Sequence, residues 1–127
     1  MNAIFNIDPL SAVSVYEQII NQVKRYVLIG LISEGDKLPS VRSMSIRLGI
    51  NPNTVQKAYL ELEREGIASS VPGKGCFVRE GAKDKLKELY LGEDGRFSEL
   101  VKELKASGFS YQELCNIIKT VYGRANL

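Results

Sequence analysis

LGINPNTVQKAYLELEREG, residues 48–66, holds a proline between two asparagines and then a run whose apolar residues recur at helical spacing. Proline has no N–H and a φ held near roughly −65°, so it suits the first position of a helix, where that N–H would have no partner. Asn51, just ahead of it, is a preferred N-cap residue. Val55, Ala58, Tyr59 and Leu62 then form one narrow apolar stripe. Asn53, Thr54, Gln56, Lys57 and Glu61 fall outside the stripe, and Gly66 ends the run. The stretch predicts a helix that starts at a fixed place, buries one narrow side and presents polar residues in its first turns.

Upstream, Ser40 can cap a second, shorter run of Val41, Met44 and Leu48 that stops at Gly49, and Gly35 with Asp36 makes the turn before it. Residues 14–31 carry Tyr16, Ile19, Ile20, Val23, Val27 and Leu28 at the i, i+3, i+4 spacing of a half-buried helix, with Ser14 and Glu17 as a capping box and Gly30 near the end. Downstream, IASSV (67–71) and CFV (76–78) are short β-type runs joined by PGKG. Pro72 and Gly73 fit the central positions of a type II turn and leave Lys74 near the tip of a hairpin. Three helices, a tight turn at Gly49 and a hairpin make a winged helix-turn-helix. In that arrangement the third helix enters the major groove, where Asn53, Thr54 and Gln56 can meet base edges and Lys57 a phosphate, helped by the positive end of the helix dipole. Lys74 at the hairpin tip suits a phosphate or minor-groove contact, and Arg42 lies one turn into the second helix.

Past Val78 the stretch REGAKDK (79–85) is polar and reads as a linker. Helical periodicity then returns in Leu86, Leu89 and Tyr90, and again in Phe97, Leu100, Val101 and Leu104, with LGEDG between them. Gly92 and Gly95 either break one helix or weaken a continuous one. Ser110 and Glu113 form a second capping box that opens a helix bearing Leu114, Ile117, Ile118 and Val121. The expected organisation is mainly α with a small β-hairpin: a winged helix-turn-helix at 11–79 followed by a short helical dimerisation segment at 83–122.

The 127 residues carry 17 basic and 15 acidic side chains, a net charge of +2, so attraction to nucleic acid has to come from placement rather than from total charge. Histidine is absent, and the two cysteines, Cys76 and Cys115, stand alone in unrelated contexts. A zinc site needs more ligands than that, and the commonest general base is missing. No serine or cysteine has a suitable base beside it in sequence. Catalytic residues, metal and cofactor are therefore not expected, and the cysteines read as reduced thiols. MNAIFNIDPL lacks the basic start and apolar core of a signal peptide, and no run approaches the roughly 18 apolar residues of a membrane helix. A cytoplasmic protein without a membrane partner is expected.

From Tyr16 to Val78 the chain resembles the DNA-binding domain of the GntR family of bacterial transcriptional regulators, through GDKLPSVR, LGINPNTVQKAY, LEREG and GKGCFV in that order and spacing. The resemblance implies that Arg42 approaches DNA at the start of the second helix with Ser40 beside it. It also implies that the recognition helix opens at Asn51, Pro52, Asn53 and Thr54, continues with Gln56 and Lys57 on its exposed face, and works with a glycine-rich wing at Gly73, Lys74 and Gly75. The chain departs from the pattern at Val15, where the family usually has proline, and at Pro52 and Gln56, where some branches have arginines that read bases. The wording NPNTVQKAY is similar to the short YtrA-type branch, which implies control of the protein's own operon with an adjacent ABC transporter. LGEDG departs from the mostly continuous helix of that branch.

Residues 79–127 are too few to enclose a usual metabolite pocket, but they can pair with a copy of themselves. Leu86, Leu89, Tyr90, Leu100 and Leu104, with Leu114, Ile117, Ile118 and Val121, would close a two-fold interface. The reading is a homodimeric, sequence-specific repressor that binds an inverted repeat in double-stranded DNA. A winged-helix module that binds protein instead of DNA is the alternative, and it calls for an apolar or acidic third-helix face.

Overall fold

Each of the first three helices begins where its capping side chain predicts. The computed structural model describes residues 4–125 and places α1 at Val15–Leu28, α2 at Val41–Leu48 and α3 at Pro52–Arg64. Residues 1–3, part of the stretch read above for a signal peptide, lie outside the described residues. Glu17 N donates to Ser14 Oγ (3.2 Å), Ser43 N to Ser40 Oγ (3.0 Å) and Asn53 N to Asn51 Oδ1 (2.8 Å). These bonds satisfy N–H groups that the first helical turn leaves without partners. Gly49 ends α2 in the left-handed region, with φ 67°, and its N–H donates to Ser45 O.

Helix α3 rests on α1, on α2 and on the first strand of the hairpin. It buries the expected Val55, Ala58, Tyr59 and Leu62, against Ile19, Ile20, Val23 and Val27 of α1 and Met44 of α2. Truncating such a side chain to alanine costs about 2–5 kcal/mol through lost burial and the cavity left behind. Two polar contacts fix α3 further. The Tyr59 hydroxyl donates to Pro39 O across 2.7 Å. Lys24 Nζ, on a residue only 6% exposed, pairs with Glu65 Oε1 at 2.9 Å just past the end of the helix.

Strands β1 (Ala68–Val71) and β2 (Gly75–Val78) pair antiparallel, with Ala68 opposite Val78 and Val71 opposite Gly75. Lys74 N donates to Val71 O at 2.9 Å, and Gly73 takes φ 75°, as a glycine at the third position of a type II turn should. The other edge of β2 is not free. Leu38 N donates to Cys76 O, Val78 N to Asp36 O and Gly35 N to Val78 O, each at 2.8 Å, and Lys37 bridges Phe77. The loop ahead of α2 thus runs as a third edge of the wing, a pairing that the sequence reading did not contain.

A segment ahead of α1 also belongs to this unit, which therefore begins earlier than the expected residue 11. Phe5 is buried with its ring edge against Tyr26, centroids 5.2 Å apart. Gln22 Oε1 accepts from Asn6 N (3.0 Å) and Gln18 Oε1 from Asp8 N (2.8 Å), so successive turns of α1 hold this backbone.

Helix α4 (Ala82–Leu91) starts inside the stretch read as a linker, because Ala82 and Leu86 are both fully buried. The chain divides into two units within α4, one closing at Lys87 and the other opening at Glu88, later than the expected 83. In the second unit α5 (Arg96–Ala106) and α6 (Tyr111–Ala125) follow a true break at LGEDG. A Cβ on Gly95 would stand 2.9 Å from backbone atoms of Glu88, Leu89 and Gly92, so the reversal needs a residue without a side chain. The capping box of α6 forms in both directions: Glu113 N donates to Ser110 Oγ and Ser110 N to Glu113 Oε1, each at 3.1 Å. Among the described residues no helix is long and apolar enough to cross a membrane.

Candidate nucleic-acid interface

The first turns of α3 and the wing meet around one groove. Its volume is about 420 Å³, and Ser40, Gln56, Gly73, Lys74 and Gly75 all line it. A second, shallower depression of about 430 Å³ joins Ser40 and Arg42 to Ser43, Ile46 and Arg47 along α2. Ser40 belongs to both, so α2, α3 and the wing present one continuous face. Asn53 and Lys57 are exposed on α3 but line neither groove, and Thr54 is half-buried. Asn51 is exposed, but its side-chain oxygen is occupied as the helix cap.

The charge on this face is uncompensated. Among the described residues the ion pairs are Lys24 with Glu65, Arg64 with Glu61, and Lys102 with Asp94 and Glu99. Arg42, Lys57 and Lys74 have none, nor do Lys37 and Arg47, which line the same grooves. Cations left unpaired around the positive end of a helix attract an anion from outside the chain. Lys37 and Arg47 were missed in the sequence because a single basic residue in a turn or at a helix end usually meets only water.

The floor of the groove is neutral. Burial pushes the Cys76 thiol above its ordinary range, and burial likewise raises the Tyr59 phenol far above its own, so both keep their protons. No group of histidine, cysteine and acidic side chains that could hold a metal ion occurs among the described residues.

The residues read as a dimerisation surface behave in two ways. Leu86 is wholly buried within the chain and falls in the first unit, so its side chain is not available to a second copy; this corrects its assignment. The others remain open. Leu89 is at the margin of exposure, Tyr90, Leu104 and Leu114 are half-buried, and Leu100, Ile117, Ile118 and Val121 are exposed, Ile117 by 63%. No side chain of α5 is fully buried. An apolar groove of about 710 Å³, open to solvent, runs between α5 and α6, and Phe97, Phe109 and Tyr111, which the interface reading left out, line it too.

Comparison with known proteins agrees with this architecture. The model of bacterial regulatory proteins of the gntR family matches residues 15–78. The chain is 46% identical over 99 residues to the HTH-type transcriptional repressor YtrA of Bacillus subtilis, covering 78% of this chain and 72% of that one. A GntR family transcriptional regulator from Listeria monocytogenes superposes with a TM-score of 0.72 at 27% identity, over 87% of this chain and 96% of the other. AraR(DBD), solved in complex with operator ORX1, superposes with a TM-score of 0.54 at 26% identity, over 61% of this chain and 99% of that one. A winged helix-turn-helix with this capped third helix, this wing and these relatives has one home: the chain belongs to the GntR family of bacterial transcriptional regulators.

Proposed function

We propose that the protein is a homodimeric repressor that recognises an inverted repeat, with α3 of each copy in a major groove. The observation that carries this reading is the start of α3, where Asn53, Gln56 and Lys57 stand exposed, Gln56 lines one groove with unpaired Lys74, and Ser40 joins that groove to unpaired Arg42. Asn53, Thr54 and Gln56 read base edges. An Asn or Gln amide suits adenine, whose N6 and N7 it can meet together, at about 1–3 kcal/mol of discrimination per good contact. Lys57 and Arg42, with Ser40 beside it, hold phosphates. Gly73, Lys74 and Gly75 bring the wing against the DNA backbone, and Asn51 holds α3 in register as its cap.

The second copy covers the open surface of the second unit, through Leu89, Tyr90, Leu100, Leu104, Leu114, Ile117, Ile118 and Val121. What supports this is the absence of any fully buried side chain on α5 together with the exposure of Leu100, Ile117, Ile118 and Val121, since contiguous apolar surface in water marks an interaction site. Likeness to the YtrA branch supports an ABC transporter operon as the target and the cytoplasm as the place of action. The alternative, a protein-binding module, calls for an apolar or acidic α3 face, and unpaired cations oppose it.

Selection of bound sequences from a random duplex pool tests the proposal. An enriched inverted repeat with half-sites about one helical turn, ~34 Å, apart supports both recognition and dimer. No enrichment overturns the first, and an enriched single half-site overturns the second.

A further inference from the structure

The groove between α3 and the wing contains one cation that the family resemblance did not bring forward. Lys37 lies in the loop ahead of α2, and its backbone is fixed by the bridge to Phe77 and by the flanking bonds of Val78 N to Asp36 O and Leu38 N to Cys76 O. Its side chain is exposed and crosses the wing over Gly75: a Cβ at that position would stand 2.7 Å from Lys37 Cε and 3.5 Å from Nζ. Gly75 has φ 121°, a conformation that residues with a Cβ rarely adopt, and its bare backbone leaves the room that the lysine stem occupies. The ammonium therefore sits beside the wing residue that follows Lys74, on the groove that Gln56 and Ser40 also line.

Among the described residues Lys37 makes no ion pair, and no acidic side chain lines the groove with it. A lysine held at both backbone flanks, laid across a glycine and left without a counterion is placed to meet a phosphate.

From this juxtaposition we infer that Lys37 is a second phosphate-binding lysine of the wing, gripping the DNA backbone beside Lys74 with Gly75 as its seat. The inference rests on the DNA-binding reading above and adds a contact to it. Because its charge acts on the backbone and not on bases, Lys37 contributes to affinity on every sequence and to salt dependence, but not to base preference.

Affinity of the full-length protein for a selected and a scrambled duplex, measured over a range of salt, tests this for Lys37→Ala, Lys37→Met and Lys74→Ala. Loss of one phosphate contact flattens the slope of log affinity against log salt by about 0.9. Between roughly 50 and 200 mM salt the wild type then loses affinity about 3.5-fold more steeply than the variant. Lys37→Met keeps the stem that packs over Gly75 and removes only the charge. The inference requires Lys37→Met to behave as Lys37→Ala does, weaker on both duplexes with a flatter slope. If Lys37→Met binds as the wild type does, or weakens binding with an unchanged slope, the stem alone matters and the inference fails. If Lys74→Ala flattens the slope while neither Lys37 variant does, the inference fails and the DNA-binding reading stands. If the wild type binds neither duplex, that reading itself fails.

Discussion

Tyr59 on α3 donates its hydroxyl hydrogen to the carbonyl oxygen of Pro39, immediately ahead of the Ser40 cap that opens α2, across 2.7 Å. One partly buried hydrogen bond thus joins the helix assigned to base reading to the start of the helix that carries Arg42. Tyr59→Phe keeps the ring and leaves the Pro39 carbonyl without this partner. The expected cost is about 1–3 kcal/mol of stability. The midpoint of urea unfolding checks it, and an unchanged midpoint with an unchanged slope would show that the bond contributes nothing net.

The same phenol predicts a sign for alkaline pH. Burial raises its folded-state pKa above the unfolded value of about 10, so the folded protein binds the proton more tightly. Its contribution is complete below pH ~10 and is lost as pH rises beyond that, at about 1.4 kcal/mol per pH unit for one proton. Unfolding free energies measured on either side of pH ~10 should therefore fall more steeply for the wild type than for Tyr59→Phe.

Lys24 and Glu65 are an asymmetric pair, with side chains 8% and 21% exposed. Removing the carboxylate by Glu65→Ala strands an ammonium out of water and should cost about 3 kcal/mol. Lys24→Met leaves the more exposed partner, which water can reach, and keeps the packing of the stem, so it should cost less. Chemical unfolding of the two variants side by side reads the order, and the reverse order would refute this account of the pair.

Ile117 is exposed on α6 in the second unit, whereas every residue assigned to DNA belongs to the first. If a second copy covers it, Ile117→Asp places a charge in an apolar interface, and sedimentation should show a monomer with intact helical content. That monomer should bind a single half-site weakly and the full repeat without its usual gain.

Much of this was legible because the signals were local. Asn51, Pro52 and Ser40 each specify a helix start through one side chain or one missing N–H, and Pro72 with Gly73 specifies a turn; the structure places all of them as read. The missed features are non-local. Nothing near Asp36, Lys37 or Leu38 marks them as partners of β2, since that pairing depends on where the hairpin folds back. Leu86 had the right spacing for an interface but is buried inside the chain, because periodicity says that a face is covered and not by what. REGAKDK looked like a linker because its charges hid Ala82. Phe5 was passed over because one aromatic has no period, although Gln18 and Gln22 on α1 hold its neighbours.

The division of labour on the DNA face is the centre of the account, and one measurement reaches it most directly. Affinities of the wild type, Thr54→Ala, Gln56→Ala and Lys74→Ala are determined on the selected operator and on a scrambled duplex, each at low and high salt. The account predicts that the Thr54 and Gln56 substitutions shrink the ratio between the two duplexes, by about 1–3 kcal/mol for a lost base contact, and leave the salt slope alone. It predicts that Lys74→Ala weakens both duplexes alike and flattens the slope by about 0.9. Equal loss on both duplexes for Gln56→Ala, with an unchanged slope for Lys74→Ala, would contradict it.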